Sequence, residues 1–157
     1  MSTIRSRLCG ALALAAVVLG AAALAPARAR AEIDPKAITI IPFEKLNFPG
    51  DPSKPQVATV FGDSTKPGLY GIVIKWPPHA TSRPHSHPND RYITVLSGTW
   101  WINTGAKYHP EASIPMKPGS FIIHHAGEIH YDGTRDEPAM IYIVGMGPAP
   151  SIDREEK

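Results

Sequence analysis

Residues 76–98 read WPPHATSRPHSHPNDRYITVLSG, and the reading of the fold starts there. His85 and His87 are two residues apart, so on an extended strand both side chains leave on one face. Two imidazoles so placed can share one metal ion. Pro84 and Pro88 bracket the pair, and each fixes φ and lacks a backbone donor, which suits a strand end and disfavours a helix. An apolar strand follows over Tyr92–Leu96 and stops at Ser97-Gly98. The pattern predicts a metal site at the mouth of a β-barrel. The same residues also read as a Pro-rich loop with solvated histidines, because an H-x-H pair alone is a modest signal.

Working outward, LYGIVIKW at 69–76 is rich in β-branched and aromatic residues and ends at Pro77-Pro78. Val57–Phe61 reads as its partner across a turn at Gly62–Gly68. A short strand is predicted at Ile38–Ile41, followed by Phe43, Leu46 and Phe48 pinning the chain to the outside of a barrel. Downstream, strands are predicted at Thr99–Thr104, Ile114–Met116, Ser120–His125 and Ala139–Met146. Another begins at His130-Tyr131, with a turn over Asp132–Pro138. Ser151–Lys157 reads as a frayed charged tail. No stretch beyond residue 31 keeps a helical period. Many short strands with Gly and Pro turns predict an all-β sandwich or barrel.

The chain of 157 residues opens with an export signal by its pattern: Arg5 and Arg7, an apolar Leu8–Leu24, and Ala29-Arg30-Ala31 as a cleavage site before Glu32. A membrane anchor is the competing reading, weakened by a short run whose alanines contribute little to insertion. Residues 1–31 are thus expected to be a cleavable signal peptide, and 32–157 a single periplasmic or secreted domain with no membrane association. The leader holds four of the 16 basic residues, which leaves 12 against 14 acidic ones. That balance speaks against nucleic-acid binding. The only cysteine, Cys9, lies in the leader. The remainder therefore has neither disulfide nor thiolate, and any metal must be held by His, carboxylate or backbone oxygen.

With these residues assembled, the sequence resembles the cupin superfamily. The first cupin motif is His-x-His, a glutamate four residues after the second His, and a glycine seven further on; His85, His87 and Gly98 match. The second motif runs from Pro-Gly through a strand to a small turn and a third His; Pro118-Gly119, Ser120–His124, Ala126-Gly127 and His130 match. The resemblance implies an antiparallel jelly-roll β-barrel, a homodimer, and a divalent transition metal on His85, His87 and His130. Three positions depart from the pattern. Arg91 stands where the ligating glutamate belongs, His125 where the turn proline belongs, and Thr134 where an asparagine often closes the motif. Arginine stays protonated and offers a cation no lone pair.

Three readings of the site follow. The three histidines bind a metal (Fe, Ni, Zn, Cu or Mn), with Arg91 holding an anionic substrate by its fork. A neighbour supplies the missing ligand, the candidates being His79, His124, His125, Asp90 and Glu128. Or Arg91 and the histidines form a metal-free anion pocket. A guanidinium beside a dication needs a compensating anion, which favours an anionic small-molecule substrate. The function read from the chain is an oxygenase-like metal enzyme, with Arg91 orienting substrate and His125 moving protons. The alternative is a non-catalytic anion-binding or sensing module. His124 and His125 must point to opposite faces, as must Trp100 and Trp101, one of which packs the core while the other is free to meet a partner.

Overall fold

The structure, a computed structural model, describes residues 32–157. The expected signal peptide lies outside the described residues. Residues 39–157 form one compact unit. Residues 32–38 belong to another, in which the Lys36, Ala37 and Ile38 amides donate to Asp34. Among the described residues no helix is long and apolar enough to cross a membrane.

Among the described residues ten strands form two antiparallel five-stranded sheets. In chain order they are β1 (Gln56–Phe61), β2 (Gly68–Trp76), β3 (His85–Ser86), β4 (Arg91–Ser97) and β5 (Trp100–Thr104). There follow β6 (Ile114–Met116), β7 (Phe121–His124), β8 (His130–Gly133), β9 (Ala139–Gly147) and β10 (Ile152–Asp153). One sheet has the order β1-β2-β9-β4-β7 and the other β10-β3-β8-β5-β6. This is the predicted all-β jelly roll.

Alternation decides what goes inside. Tyr70, Ile72, Ile74 and Trp76 of β2 face inward, with Ile93 and Val95 of β4 and Ala139, Ile141 and Ile143 of β9. Trp100 of β5 closes this core from the opposite sheet. Burying each large side chain contributes about 1.5–3 kcal/mol. The register of β2 against β9 runs unbroken from Gly68↔Gly147 to Trp76↔Ala139 and sets these two rows of side chains side by side. The turn from β4 to β5 requires Gly98, whose φ is +70° and whose added Cβ would lie 1.9 Å from the Pro138 carbonyl oxygen.

Three expectations are corrected. Residues 38–41 form no strand and are exposed. A β-branched run needs a neighbouring strand for its backbone groups, and no ladder reaches this one. Phe43 and Phe48 do pin the following segment, with Lys75 Nζ of β2 lying 3.8 Å from the Phe48 ring centroid. Asp132 belongs to β8 instead of opening a turn, because β5 extends the ladder to Ile102↔Asp132. The C-terminal tail is not frayed. β10 pairs with β3, and the Arg154 N–H donates to the Pro84 carbonyl at 2.9 Å. Arg83 pairs with Glu155 beside it.

Candidate metal centre

β3 is two residues long, and it is held from both sides. His85 sits opposite His130 of β8 on one side and opposite Asp153 of β10 on the other. The His87 carbonyl accepts from the Gly127 N–H at 2.8 Å, which ties the first motif to the turn after β7. The ring centroids lie 5.0 Å apart for His85 and His87, 4.5 Å for His85 and His130, and 5.4 Å for His87 and His130. One ligand nitrogen from each falls within 4.8 Å of the others. The structure therefore brings together the three histidines that the sequence singles out.

The tautomers follow from their partners. The Nδ1 of His85 lies 2.7 Å from the Arg83 carbonyl oxygen, that of His87 2.9 Å from Pro150 O, and that of His130 3.2 Å from Glu128 O. A carbonyl only accepts, so each Nδ1 carries the proton and each Nε2 keeps its lone pair. His130 Nε2 is buried without a partner. Burial lowers the His87 pKa to about 4, helped by the charge of Arg91. Burial likewise lowers His130 to about 3, helped by His85 and His87. These two rings are neutral at neutral pH, the form a metal requires. The donor set and its backbone orientation fit a transition metal.

Arg91 begins β4, opposite His124 of β7, and points inward in step with Ile93 and Val95. Its Nη1 donates to His87 Nε2, while its Nε is buried without a partner. The guanidinium thus takes the lone pair that an ion would need, so Arg91 and a metal are alternatives at His87.

Two further residues join the site: His124, one of the candidates for the missing ligand, and Asp132, which sequence reasoning did not place there. His124 is 8% exposed, its ring centroid 3.7 Å from that of His130. Burial lowers its pKa to about 2, with His130 the next cause. Asp132 is also buried, and its Oδ1 accepts from Ser82 Oγ at 3.3 Å. Burial raises its pKa, while His85 and Arg91 pull the other way. The signal for Asp132 was the period-2 spacing that pairs His85 with His87, applied to His130-Tyr131-Asp132. Gly133 follows it in β8, where an added Cβ would lie 2.3 Å from the Ala80 carbonyl oxygen.

An interior cavity of about 90 Å³ is lined by Trp76, Ser82, Arg91, Trp100, His124 and Asp132. Trp76 Nε1, Trp100 Nε1, Arg91 Nε and His124 Nδ1 are all buried without partners. A larger surface groove of about 350 Å³, bordered by Pro52, Pro77, Pro78 and Met140, has no histidine or carboxylate in its lining.

The other candidates fall outside the group. His125 is exposed and shares the outer face with Phe121 and Ile123, because strand alternation turns it away from His124. Its Nδ1 is 3.9 Å from Asp90 Oδ2, so the structure does not bring it to the cluster. Asp90 accepts from the Ala126 N–H at 2.8 Å. His79 has a 72% exposed side chain near Asp136, and Glu128 is exposed. Thr134 caps the loop before β3, taking part in hydrogen bonds with Pro77 O and the Ala80 N–H. Trp100 packs the core, and Arg135 stacks 3.5 Å from the Trp101 ring centroid.

No family model matches the sequence, and no curated protein matches it. Solved structures do resemble the fold. The polyketide cyclase RemF from Streptomyces resistomycificus aligns over 76% of this chain and 87% of its own, at 15% identity and TM-score 0.62. An uncharacterized conserved protein with a double-stranded β-helix domain from Klebsiella pneumoniae aligns over 74% and 97%, at 20% identity and TM-score 0.58. An RmlC-like cupin from Shewanella frigidimarina aligns over 66% and 86%, at 10% identity and TM-score 0.54. At such identities the likeness carries architecture and no activity. The strand order, the two matched motifs and these likenesses agree that this chain has the fold of the cupin superfamily.

Proposed function

We propose that the chain is an exported, metal-dependent enzyme acting on a small anionic substrate, with oxygenase-like chemistry. His85, His87 and His130 hold one divalent transition metal (Fe, Ni, Zn, Cu or Mn). The observation that carries this is the set of three Nδ1–H groups tied to backbone carbonyls, which leaves three Nε2 lone pairs within one small volume. Bound there, the ion supplies Lewis acidity and, where redox-active, one-electron chemistry.

Arg91 leaves His87 when the metal arrives, and its fork then holds a substrate carboxylate or similar anion. The unpartnered nitrogens of Trp76, Trp100 and Arg91 donate to further acceptor atoms of the substrate. The surrounding isoleucines exclude water, which strengthens each of these bonds. Export to the periplasm or beyond belongs to the same proposal and rests on residues 1–31. So does a homodimer, supported by Leu69, Tyr92, Phe121, Ile123 and Met146, which leave an apolar face exposed on one sheet.

A non-catalytic anion-binding module is the second reading, favoured by the contact of Arg91 with His87. Elemental analysis of the tag-free protein separates the two. The enzyme reading expects about one equivalent of transition metal, held at least about 100-fold more weakly after His85→Ala with His87→Ala. No metal after reconstitution with Fe, Ni, Zn, Cu and Mn would sink it and leave Arg91 as the centre of a binding site.

A further inference from the structure

We infer a second metal position deeper in the barrel, ligated by His124, His130 and Asp132. Their ligand atoms lie within 4.8 Å of one another, and all three residues are buried. The fold builds this group from two strands. β7 ends on His124, and β8 presents His130 and Asp132 two residues apart. His124 Nδ1 and His130 Nε2 are both buried with no partner. Each polar group left in that state costs about 1–3 kcal/mol, a strong reason for a ligand to fill the gap. Asp132 spends one bond on Ser82 and keeps further lone pairs for a cation.

The chemistry fits the departure at position 91. Arg91 removes the carboxylate expected on β4, and Asp132 provides one from β8. Two imidazoles and one carboxylate make a mixed N/O set suited to Fe, Mn, Co or Zn. The two positions exclude each other. His130 Nδ1 is committed to the Glu128 carbonyl, so its single free nitrogen serves one ion at a time. The outer position also competes with Arg91 for His87, whereas the inner one uses neither residue. One ion thus has two seats, and the outer one opens as Arg91 leaves His87.

This inference shares His130 with the proposed outer seat but does not require that seat. Its test is Co(II) titration of the full chain, followed by visible absorption and elemental analysis, with circular dichroism to check folding. His85→Ala with His87→Ala is expected to take up about one equivalent of Co(II) in the titration, more weakly than the unsubstituted chain and with an altered spectrum. Adding Asp132→Asn, or His124→Gln, to that pair is expected to abolish the residual binding. In an otherwise wild-type chain Asp132→Asn still takes one equivalent, on the outer histidines. A folded His85→Ala, His87→Ala protein that takes no cobalt overturns the inner seat and leaves the outer one standing. Residual binding that survives both Asp132→Asn and His124→Gln also overturns it. Conversely, Co(II) affinity and spectrum unchanged by His85→Ala with His87→Ala leave the inner seat intact and refute the outer one.

Discussion

The two sheets divide the labour unequally. The β1-β2-β9-β4-β7 sheet carries nearly all of the apolar core on strands of up to nine residues. The β10-β3-β8-β5-β6 sheet is built from strands of two to five residues, and it carries His85, His130 and Asp132. Long ladders with isoleucine faces supply stability. Short ones, held by neighbours instead of by their own length, can place polar groups inward at a cost that the first sheet offsets. Two strands cross this division, since Arg91 of β4 and His124 of β7 project from the stable sheet toward the polar cluster.

The largest effect should come from the core side. Ile143→Ala, at 1% exposure, is expected to lower unfolding free energy by about 2–5 kcal/mol in urea titration. Metal stoichiometry of the folded fraction should not change. Equal damage to metal binding would mean that the sheets are not separable in this way.

The second test attacks the support of β3. Removing residues 150–157 takes away β10 and the carbonyl that orients His87. Metal affinity should fall by about 10–100-fold, as loss of an orienting hydrogen bond to a ligand typically gives. Competition titration against a chelator measures it. An unchanged affinity would show that the tail does not position the outer histidines.

Arg91→Glu restores a carboxylate at the fold's usual ligand position. It should raise metal affinity by about tenfold while removing the binding of small anions, read by calorimetry on the metal-loaded protein. Weaker metal binding in this variant would show that the guanidinium supports the centre instead of competing with it.

The last test is with pH. His87, His130 and His124 have their pKa values lowered from 6.5 to about 4, 3 and 2. The unfolded chain therefore takes up protons before the folded one does. The stability that these neutral rings contribute is fully present above pH 6.5, declines as pH falls below it, and is lost through pH 4 and beneath. Urea midpoints of metal-free protein between pH 7 and pH 4 should fall steadily. His124→Gln should flatten that fall, and an identical slope in the variant would assign it to other groups.

Much of the fold was legible in the chain because the signals are local. Alternation in 69–76, 92–96 and 139–146 names the inward residues, and glycines such as Gly98 mark a turn that no other residue could make. The same alternation puts His85 with His87 and sends His125 outward. It would also have placed Asp132 beside His130 had the strand been carried one residue pair further. The unpaired run at 38–41 shows the limit of such signals. Its β-branched residues favour a strand, yet a strand exists only where another chain segment supplies its hydrogen bonds.

What the sequence determined by itself was thus the list of inward side chains and the identity of three imidazoles, since strand periodicity requires no partner to be read. Only the tertiary structure decided which partners they meet. The Pro150 carbonyl on His87, β10 beside β3, Arg91 against His87 Nε2, and His124 with Asp132 around His130 all join segments far apart in the chain or on different sheets. Such pairings are set by the registers of whole ladders and by closure of the two sheets over one core. No local pattern encodes them.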